Sequence, residues 1–263
     1  MRVYDLSEYI WPEIAQRRQP QHAVRLAEAF ADADFAWTPF LRSSIKGPSV
    51  SLAGTTNIKP TLGGLAIQNG YATVSAPIPS QYSTKWTECG VVLLDGTNSV
   101  ETLSSRGTGQ AIIFNSTNID IVMWAVADVF INIAPPKGIV SYVVRRNGSV
   151  HNVWLNGSFF GSVSNASAPL ASSGILPAIG AQAGSGGYSG TNPLTSTTGV
   201  LCVIRTPRTL SDGECLRFSG EPYAAFEDPI LPIPISSSLY PTLSNLRFNP
   251  ATSTGGYLAV DMA

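Results

Sequence analysis

Two Asn-Gly dipeptides, Asn147-Gly148 and Asn156-Gly157, stand nine positions apart and are flanked by alternating apolar and polar residues. Asn and Gly both tolerate positive φ, which the two-residue turn that matches the twist of paired strands requires. Residues 139–146, 149–155 and 158–163 therefore read as three antiparallel strands joined by two hairpins. Period-two segments of this kind recur from residue 47 onward, and helical periodicity is nearly absent until about residue 210. The body of the chain is predicted to be all-β.

Other segments fill in this reading. Residues 112–115 predict a strand, and 119–133 a long strand bent near Ala127-Asp128; 199–205 form a compact apolar strand. Residues 181–198, rich in Gly, Ser and Thr, read as a long surface loop. Upstream, Ala23, Leu26, Ala27 and Phe30 recur at helical spacing between Pro20 and Thr38-Pro39, which predicts one amphipathic helix. Residues 1–46 hold 12 of the 33 charged side chains, and the remaining 217 residues hold 21. This change marks a helical arm at 1–46 that has no core of its own and must pack on the body or on another chain. The expected organisation is arm 1–46, sandwich 47–235, and an extended C-terminal segment 236–263 with strand character around Leu243, Leu246, Phe248, Tyr257, Leu258 and Val260.

Only 13% of residues are charged, against roughly 25% in an ordinary soluble domain, and Ser and Thr number 50. With a formal net charge of -1 the chain is no polycation that neutralises phosphates, so no nucleic-acid partner is expected. The most apolar stretch, residues 119–136, is interrupted by Asp120, Asp128 and Asn132 and does not span a bilayer. The N-terminus lacks a basic start followed by an apolar run, so ordinary export is not expected. Cys89, Cys202 and Cys215 are odd in number and widely spaced, which predicts reduced core residues rather than disulfides or a zinc site.

Against this background the order of elements resembles the laminin-G-like, concanavalin A-like lectin jelly roll, in the form found in bacteriophage virion structural proteins. Gly63-Gly64-Leu65-Ala66-Ile67 and Asn69-Gly70-Tyr71-Ala72-Thr73-Val74 resemble the family's opening strands, and Trp86-Thr87-Glu88-Cys89-Gly90-Val91-Val92 its first central strand. Trp154-Leu155-Asn156-Gly157 is similar to the family's aromatic-Leu-Asn-Gly turn. Residues 199–205 followed by Leu210-Ser211-Asp212-Gly213-Glu214 resemble the closing strand and its short helix, and Gly220-Glu221-Pro222-Tyr223-Ala224-Ala225-Phe226 the phage-type tail. The resemblance covers about residues 47–235. It implies a two-sheet antiparallel jelly-roll sandwich, with the first 46 residues as an added attachment arm.

The chemistry of cleavage is poorly represented. Glycoside hydrolysis needs two carboxylates a few ångströms apart across a sugar bond. The acids at suitable spacing along one strand direction, Asp32/Asp34 and Asp212/Glu214, fall in expected helical or turn segments, and the strands carry isolated acids. A Ser-His-Asp device would need His22, in the charged arm, or His151, between Val150 and Asn152 and expected to be a half-exposed surface residue. Gly184-Ser185-Gly186-Gly187 lacks the Lys-Ser/Thr of a phosphate loop. Arg145-Arg146 and Arg17-Arg18 read as solvated or interface charges. No catalytic residue, transition metal or cofactor is expected; Asp95, Asp120 and Asp128 are compatible with a structural calcium ion but do not single one out.

Sugar recognition requires an aromatic platform beside hydrogen-bonding side chains. Trp124, Trp154 and Tyr188 are the aromatics nominated for it, with Asn152 as the nearby amide. Trp154 alternates with Asn152 and Val150, so it is a core plug or a sheet-face residue, and Tyr188 in the Gly-rich stretch is a ligand or chain-to-chain contact. Taken with the phage resemblance, this predicts a non-enzymatic virion protein, a tail fibre, spike or other appendage. Its arm and C-terminal segment would bind other virion proteins, and its jelly roll would bind host glycan or a neighbouring subunit. A homo-oligomer is expected, a trimer being natural for an appendage. The alternatives are a capsid decoration or cement protein and a glycan depolymerase.

Overall fold

A computed structural model describes residues 25–39, 45–105, 110–123, 127–167, 176–184, 187–191 and 193–227. The strands in chain order are β1 (Arg25–Leu26), β2 (Phe35–Trp37), β3 (Val50–Ala53), β4 (Asn57–Thr61), β5 (Gly64–Gln68) and β6 (Tyr71–Val74). They continue with β7 (Lys85–Leu94), β8 (Val100–Glu101), β9 (Gln110–Phe114), β10 (Ile119–Met123), β11 (Ala127–Ile131), β12 (Gly138–Asn147), β13 (Val150–Leu155) and β14 (Ser158–Ser164). The last are β15 (Ala178–Ile179), β16 (Gln182–Gly184), β17 (Gly187–Thr191), β18 (Gly199–Thr206) and β19 (Phe226–Glu227), with helix α1 (Asp212–Gly220) before β19.

The all-β expectation holds: the architecture is a multi-sheet antiparallel sandwich of jelly-roll type. Its main sheet has eight strands in the order β14-β13-β12-β7-β18-β5-β4, with β2 also paired to β18. Opposite it lie a four-stranded sheet, β11-β10-β9-β8, and a three-stranded sheet, β15-β6-β3. The Ser104–Ala178 bridge ties these two together, with backbone hydrogen bonds of 2.9 and 2.8 Å. One apolar core joins the three sheets, through Trp86, Val92, Tyr142, Val144 and Val203 of the main sheet and Val74, Ile112, Phe114, Ile121 and Ile179 of its partners. Burying these side chains supplies the main driving force, about 25 cal/mol per Å² of apolar surface.

The meander forms as β12-β13-β14, and its two turns differ. Asn156 and Gly157 both take positive φ, 48° and 76°, as a turn of type I′ requires. In the first hairpin Asn147 pairs with Val150, so the central residues are Gly148 and Ser149, and only Gly148 takes positive φ. Glycine is obligatory at Gly90 for a different reason: a Cβ there would lie 2.2 Å from the Cys202 carbonyl oxygen. That close approach falls where the β7–β18 register shifts, between Val200 and Cys202.

Beyond its core face, the main sheet is covered on the other side. Cys89, Val143, Trp154 and Ile204 meet Phe30, Leu210, Cys215 and Phe218 in a second apolar cluster. Helix α1 is placed there by Ser211, whose side chain accepts from the Glu214 amide while the Glu214 carboxylate accepts from the Ser211 amide. This capping box satisfies amides that the first helical turn leaves open. All three cysteines are free and buried, as expected.

Three expectations are corrected. Residues 25–37 form no α-helix; β1, a 3-10 turn at Glu28–Phe30 and β2 take their place, and β2 joins the main sheet. Of the residues whose spacing suggested a helix, Phe30 is buried in the second cluster with Leu26 packed against it, while Phe35 and Trp37 of β2 enter the main core. Residues 119–133 are not one bent strand but a hairpin, β10 folding back on β11. Residues 181–198 are not simply a surface loop: β16 and β17 pair, and Ala181 and Leu194 are buried. The remainder of the arm, residues 1–24, and the C-terminal segment 236–263 lie outside the described residues.

Among the described residues one end of the main sheet is β14 and the other is β4, which carries Lys59 and Pro60. Among the described residues no helix is long and apolar enough to cross a membrane.

Candidate functional site

Two groups of polar side chains stand out, one inside the sandwich and one on its outward surface. The inner group centres on Glu88 and Arg205, opposite each other on β7 and β18 and facing the core. Arg205 Nη1 lies 2.8 Å from Glu88 Oε2, Nη2 donates to Gln110 Oε1 at 2.8 Å, and Nε donates to Ser80 Oγ at 3.0 Å. Glu88 Oε1 accepts from Thr102 Oγ1 at 2.8 Å and from Tyr142 OH at 3.0 Å. The guanidinium also lies 4.0 Å from the Trp86 ring centroid. Every charged atom has a partner, which is what a buried ion pair needs to offset its desolvation. This cluster holds the sheets together.

His151 belongs to the same interior. It shares the inward face of β13 with Val153 and Leu155, opposite Arg146 on β12, and is fully buried rather than half-exposed. Burial and the nearby Arg146 and Arg205 cations push its pKa down to about 3, so the ring is neutral at physiological pH. Neither ring nitrogen has a hydrogen-bond partner, and no carboxylate orients it as a catalytic base. Arg145 and Arg146 are not solvated charges either. Arg146 is buried, its Nε donating to the Gly148 carbonyl at 2.9 Å, while Arg145 lies 4.8 Å from the Trp154 ring centroid and pairs with Asp212 at 2.6 Å.

Of the nominated sugar contacts, Trp154 is the core plug: it is 2% exposed, with Phe159 packed edge-on at 5.5 Å. Asn152 stands two positions away on the same face of β13, and its Oδ1 accepts from Ser162 Oγ at 2.8 Å. Tyr188 lies in β17 of the β16–β17 hairpin. Trp124 lies outside the described residues. Asp95 is a turn residue for which burial, the largest single influence, raises the pKa, but the hydrogen bonds its oxygens accept from the Thr97 and Asn98 amides and the Asn98 and Thr197 side chains together outweigh it and hold the pKa well below the usual range. Among the described residues no three His, Cys, Asp or Glu side chains are grouped to hold a metal ion.

The outward group was not foreseen. In the β10–β11 hairpin Asp120 is opposite Phe130, and Asp128 is opposite Val122. All four point away from the core, because Ile119, Ile121 and Ile131 point into it. Diagonal neighbours on one face of such a pair stand roughly 7 Å apart, so Asp120 and Asp128 form a carboxylate pair with an aromatic ring beside it. Asp128 is exposed and Phe130 is 44% exposed, whereas Asp120 is only 8% exposed. Asp120 Oδ1 is sealed from solvent and has no hydrogen-bond partner. Burial, reinforced by the Asp128 charge, pushes the Asp120 pKa up to about 7. Further along this side Glu101, Ala111, Ile113 and Val122 are buried, the last three as a small apolar cluster, so among these positions only Asp128 and Phe130 are exposed.

No protein-family model and no curated protein sequence matches the chain. Solved structures do match it in fold. A mutant Trypanosoma rangeli sialidase displaying trans-sialidase activity is 15% identical with a TM-score of 0.51, over 75% of this chain and 34% of that one. The binding domain of botulinum neurotoxin DC in complex with SialylT is 9% identical with a TM-score of 0.52, over 73% of this chain and 52% of that one. The serotype D/C VPI 5993 binding domain is similar at 10% identity and TM-score 0.52, with 73% and 53% covered. These likenesses establish a shared lectin-like fold.

They also overturn the phage resemblance, and the virion, tail-fibre and capsid readings fall with it. The motifs that carried it have local physical causes. Trp154-Leu155-Asn156-Gly157 is the entry to a positive-φ turn, and Leu210-Ser211 with Glu214 is a capping box. Such features mark hairpins and helix ends in any lineage.

Proposed function

We propose that this chain is a non-enzymatic carbohydrate-binding module whose ligand lies against the outward face of β10 and β11. The juxtaposition of Phe130 with Asp120 and Asp128 carries the reading. A pyranose presents an apolar C–H face that stacks on an aromatic ring, and its hydroxyls donate to carboxylate oxygens. Phe130 and the exposed Asp128 offer both surfaces on rigid strands rather than on a loop, with Asp120 largely buried beside them.

The lectin-like fold supports the same conclusion. The finer assignment, a two-layer concanavalin A-like jelly roll, belongs to this proposal and is supported by the Ser104–Ala178 bridge that joins the two smaller sheets. Cleavage is not part of it. A glycosidase must present both carboxyl groups across the scissile bond, whereas Asp120 Oδ1 is sealed in the sheet.

A printed glycan array probed with the full chain tests the proposal, together with Phe130→Ala and an assay for released reducing ends. Glycans are expected to bind, the variant to bind at least about tenfold more weakly, and no reducing ends to be released. An array without bound glycan, or unchanged binding by the variant, would refute the assignment.

A further inference from the structure

We infer that the outward face of β13 and β14 carries a second sugar contact, selective for sugars that bear an acetamido group. The inference rests on reading the module as carbohydrate-binding, but not on the Phe130 face. Its platform is Phe159, which is 57% exposed. That ring stands opposite Trp154, the buried indole that faces α1, and packs edge-on against it. The contact steadies the ring and leaves most of it to solvent.

A bulge in β14 sets what lies beside the ring. In a regular strand residues three apart point to opposite faces, and Phe159 and Ser162 are three apart. Here Phe159 is opposite Trp154 and Gly161 is opposite Val153, so Phe160 is the extra residue, packed against the main core. The bulge returns Ser162 to the outward face, directly opposite Asn152. Ring, hydroxyl and amide thus share one accessible surface, with Ser162 exposed and Asn152 half-buried. Val150, Asn152, Trp154, Phe159, Ser162 and Ser164 on this face are all uncharged. Arg145, opposite Asn152 on β12, is already paired with Asp212 at 2.6 Å.

Donors and acceptors select the ligand class. Ser162 Oγ gives its proton to Asn152 Oδ1 at 2.8 Å, so the hydroxyl keeps lone pairs and the amide keeps its Nδ2 hydrogens. One acceptor and one donor therefore stand side by side next to an apolar ring. A secondary amide is the complement of that pair. Its N–H donates to Ser162 Oγ, its carbonyl accepts from Asn152 Nδ2, and the acetyl methyl and pyranose C–H groups lie on Phe159. An ammonium has no acceptor for Asn152, and a hydroxyl brings no methyl to the ring.

The test prints oligosaccharides matched except for an acetamido, amino or hydroxyl group at one position. They are probed with the full chain carrying Phe130→Ala, which removes the first contact. The acetamido versions are expected to bind at least about tenfold more tightly than the other two. Adding Phe159→Ala is expected to abolish this binding. Adding Asn152→Asp instead, which replaces the Nδ2 donor with an acceptor at a half-buried position, is expected to erase the acetamido preference. Absence of that preference, or its survival in either double variant, would overturn the inference while leaving the Phe130 assignment intact. So would a Phe130→Ala chain that loses every glycan the unaltered chain binds. An unaltered chain that captures no glycan would overturn both.

Discussion

Glu88 and Asp120 are both acids removed from water on neighbouring layers of one sandwich, yet their surroundings are opposite. Glu88 meets a guanidinium, a phenol and a threonine hydroxyl, so both its oxygens are occupied. Asp120 meets a second carboxylate and a phenyl ring, and its buried oxygen has no partner. The fold tolerates the first arrangement because it is complete within itself. The second is left incomplete, and the cost appears as a proton that Asp120 holds more tightly than an ordinary aspartate does.

The largest expected effect comes from breaking the complete arrangement. Arg205→Met leaves Glu88 buried without its counter-charge and is expected to cost about 3–5 kcal/mol in urea denaturation. Adding Glu88→Leu to that variant is expected to recover much of the loss, because an apolar pair needs no compensation. A double variant as unstable as the single one would mean that the hydrogen bonds to Thr102, Tyr142 and Gln110, and not the charge pair, carry the stability.

Next in size is the proton linkage of Asp120. Its folded pKa, about 7, lies above that of the unfolded chain, so the folded state binds the proton more tightly. Stability from this group is fully present below the ordinary aspartate range near pH 4 and is lost as pH rises through 7. Asp120→Asn should remove this slope and raise stability at pH 8 by roughly 1 kcal/mol after allowance for solvent screening. Thermal melts from pH 4 to 8 check the sign, and a wild-type melting temperature that rises over that range would contradict the assignment.

Smaller again is the influence of Asp128. Asp128→Asn removes the like charge and is expected to lower the Asp120 titration midpoint by less than burial raises it, since burial is the larger cause. Carboxyl carbon NMR reads this directly. The smallest effect on stability is that of Phe130→Ala, expected to stay within about 0.5 kcal/mol because the ring is half-exposed and outside the core. A larger loss would make Phe130 a packing residue and weaken its claim as a sugar platform.

Much of this fold is legible in the sequence where local chemistry and long-range packing agree. The Asn-Gly turns and alternating residues give β12, β13 and β14, and Ser211 with Glu214 gives the start of α1. The β10–β11 hairpin is not legible, because Trp124, Ala125 and Val126 between the strands are not turn formers and the apolar run continues through them. Reading that run as one strand set Asp120 and Asp128 apart, and only the pairing register brings them onto one face. The burial of Arg146 and Arg205 is hidden for a related reason. Charge argues for solvent, and nothing in the order of residues indicates that Arg205 finds Glu88 more than a hundred positions away. His151 could have been placed, since Val153 and Leu155 on its own face are apolar.

The rim formed by β4 bears on how copies of this module can meet. Proline has no backbone amide hydrogen, and a lysine beside it resists being enclosed, so Lys59 and Pro60 spoil that rim as a template for another strand. Crowding many copies onto one carrier should leave each as a separate bead there. Any gain in grip from such crowding would come from many weak holds on the same target.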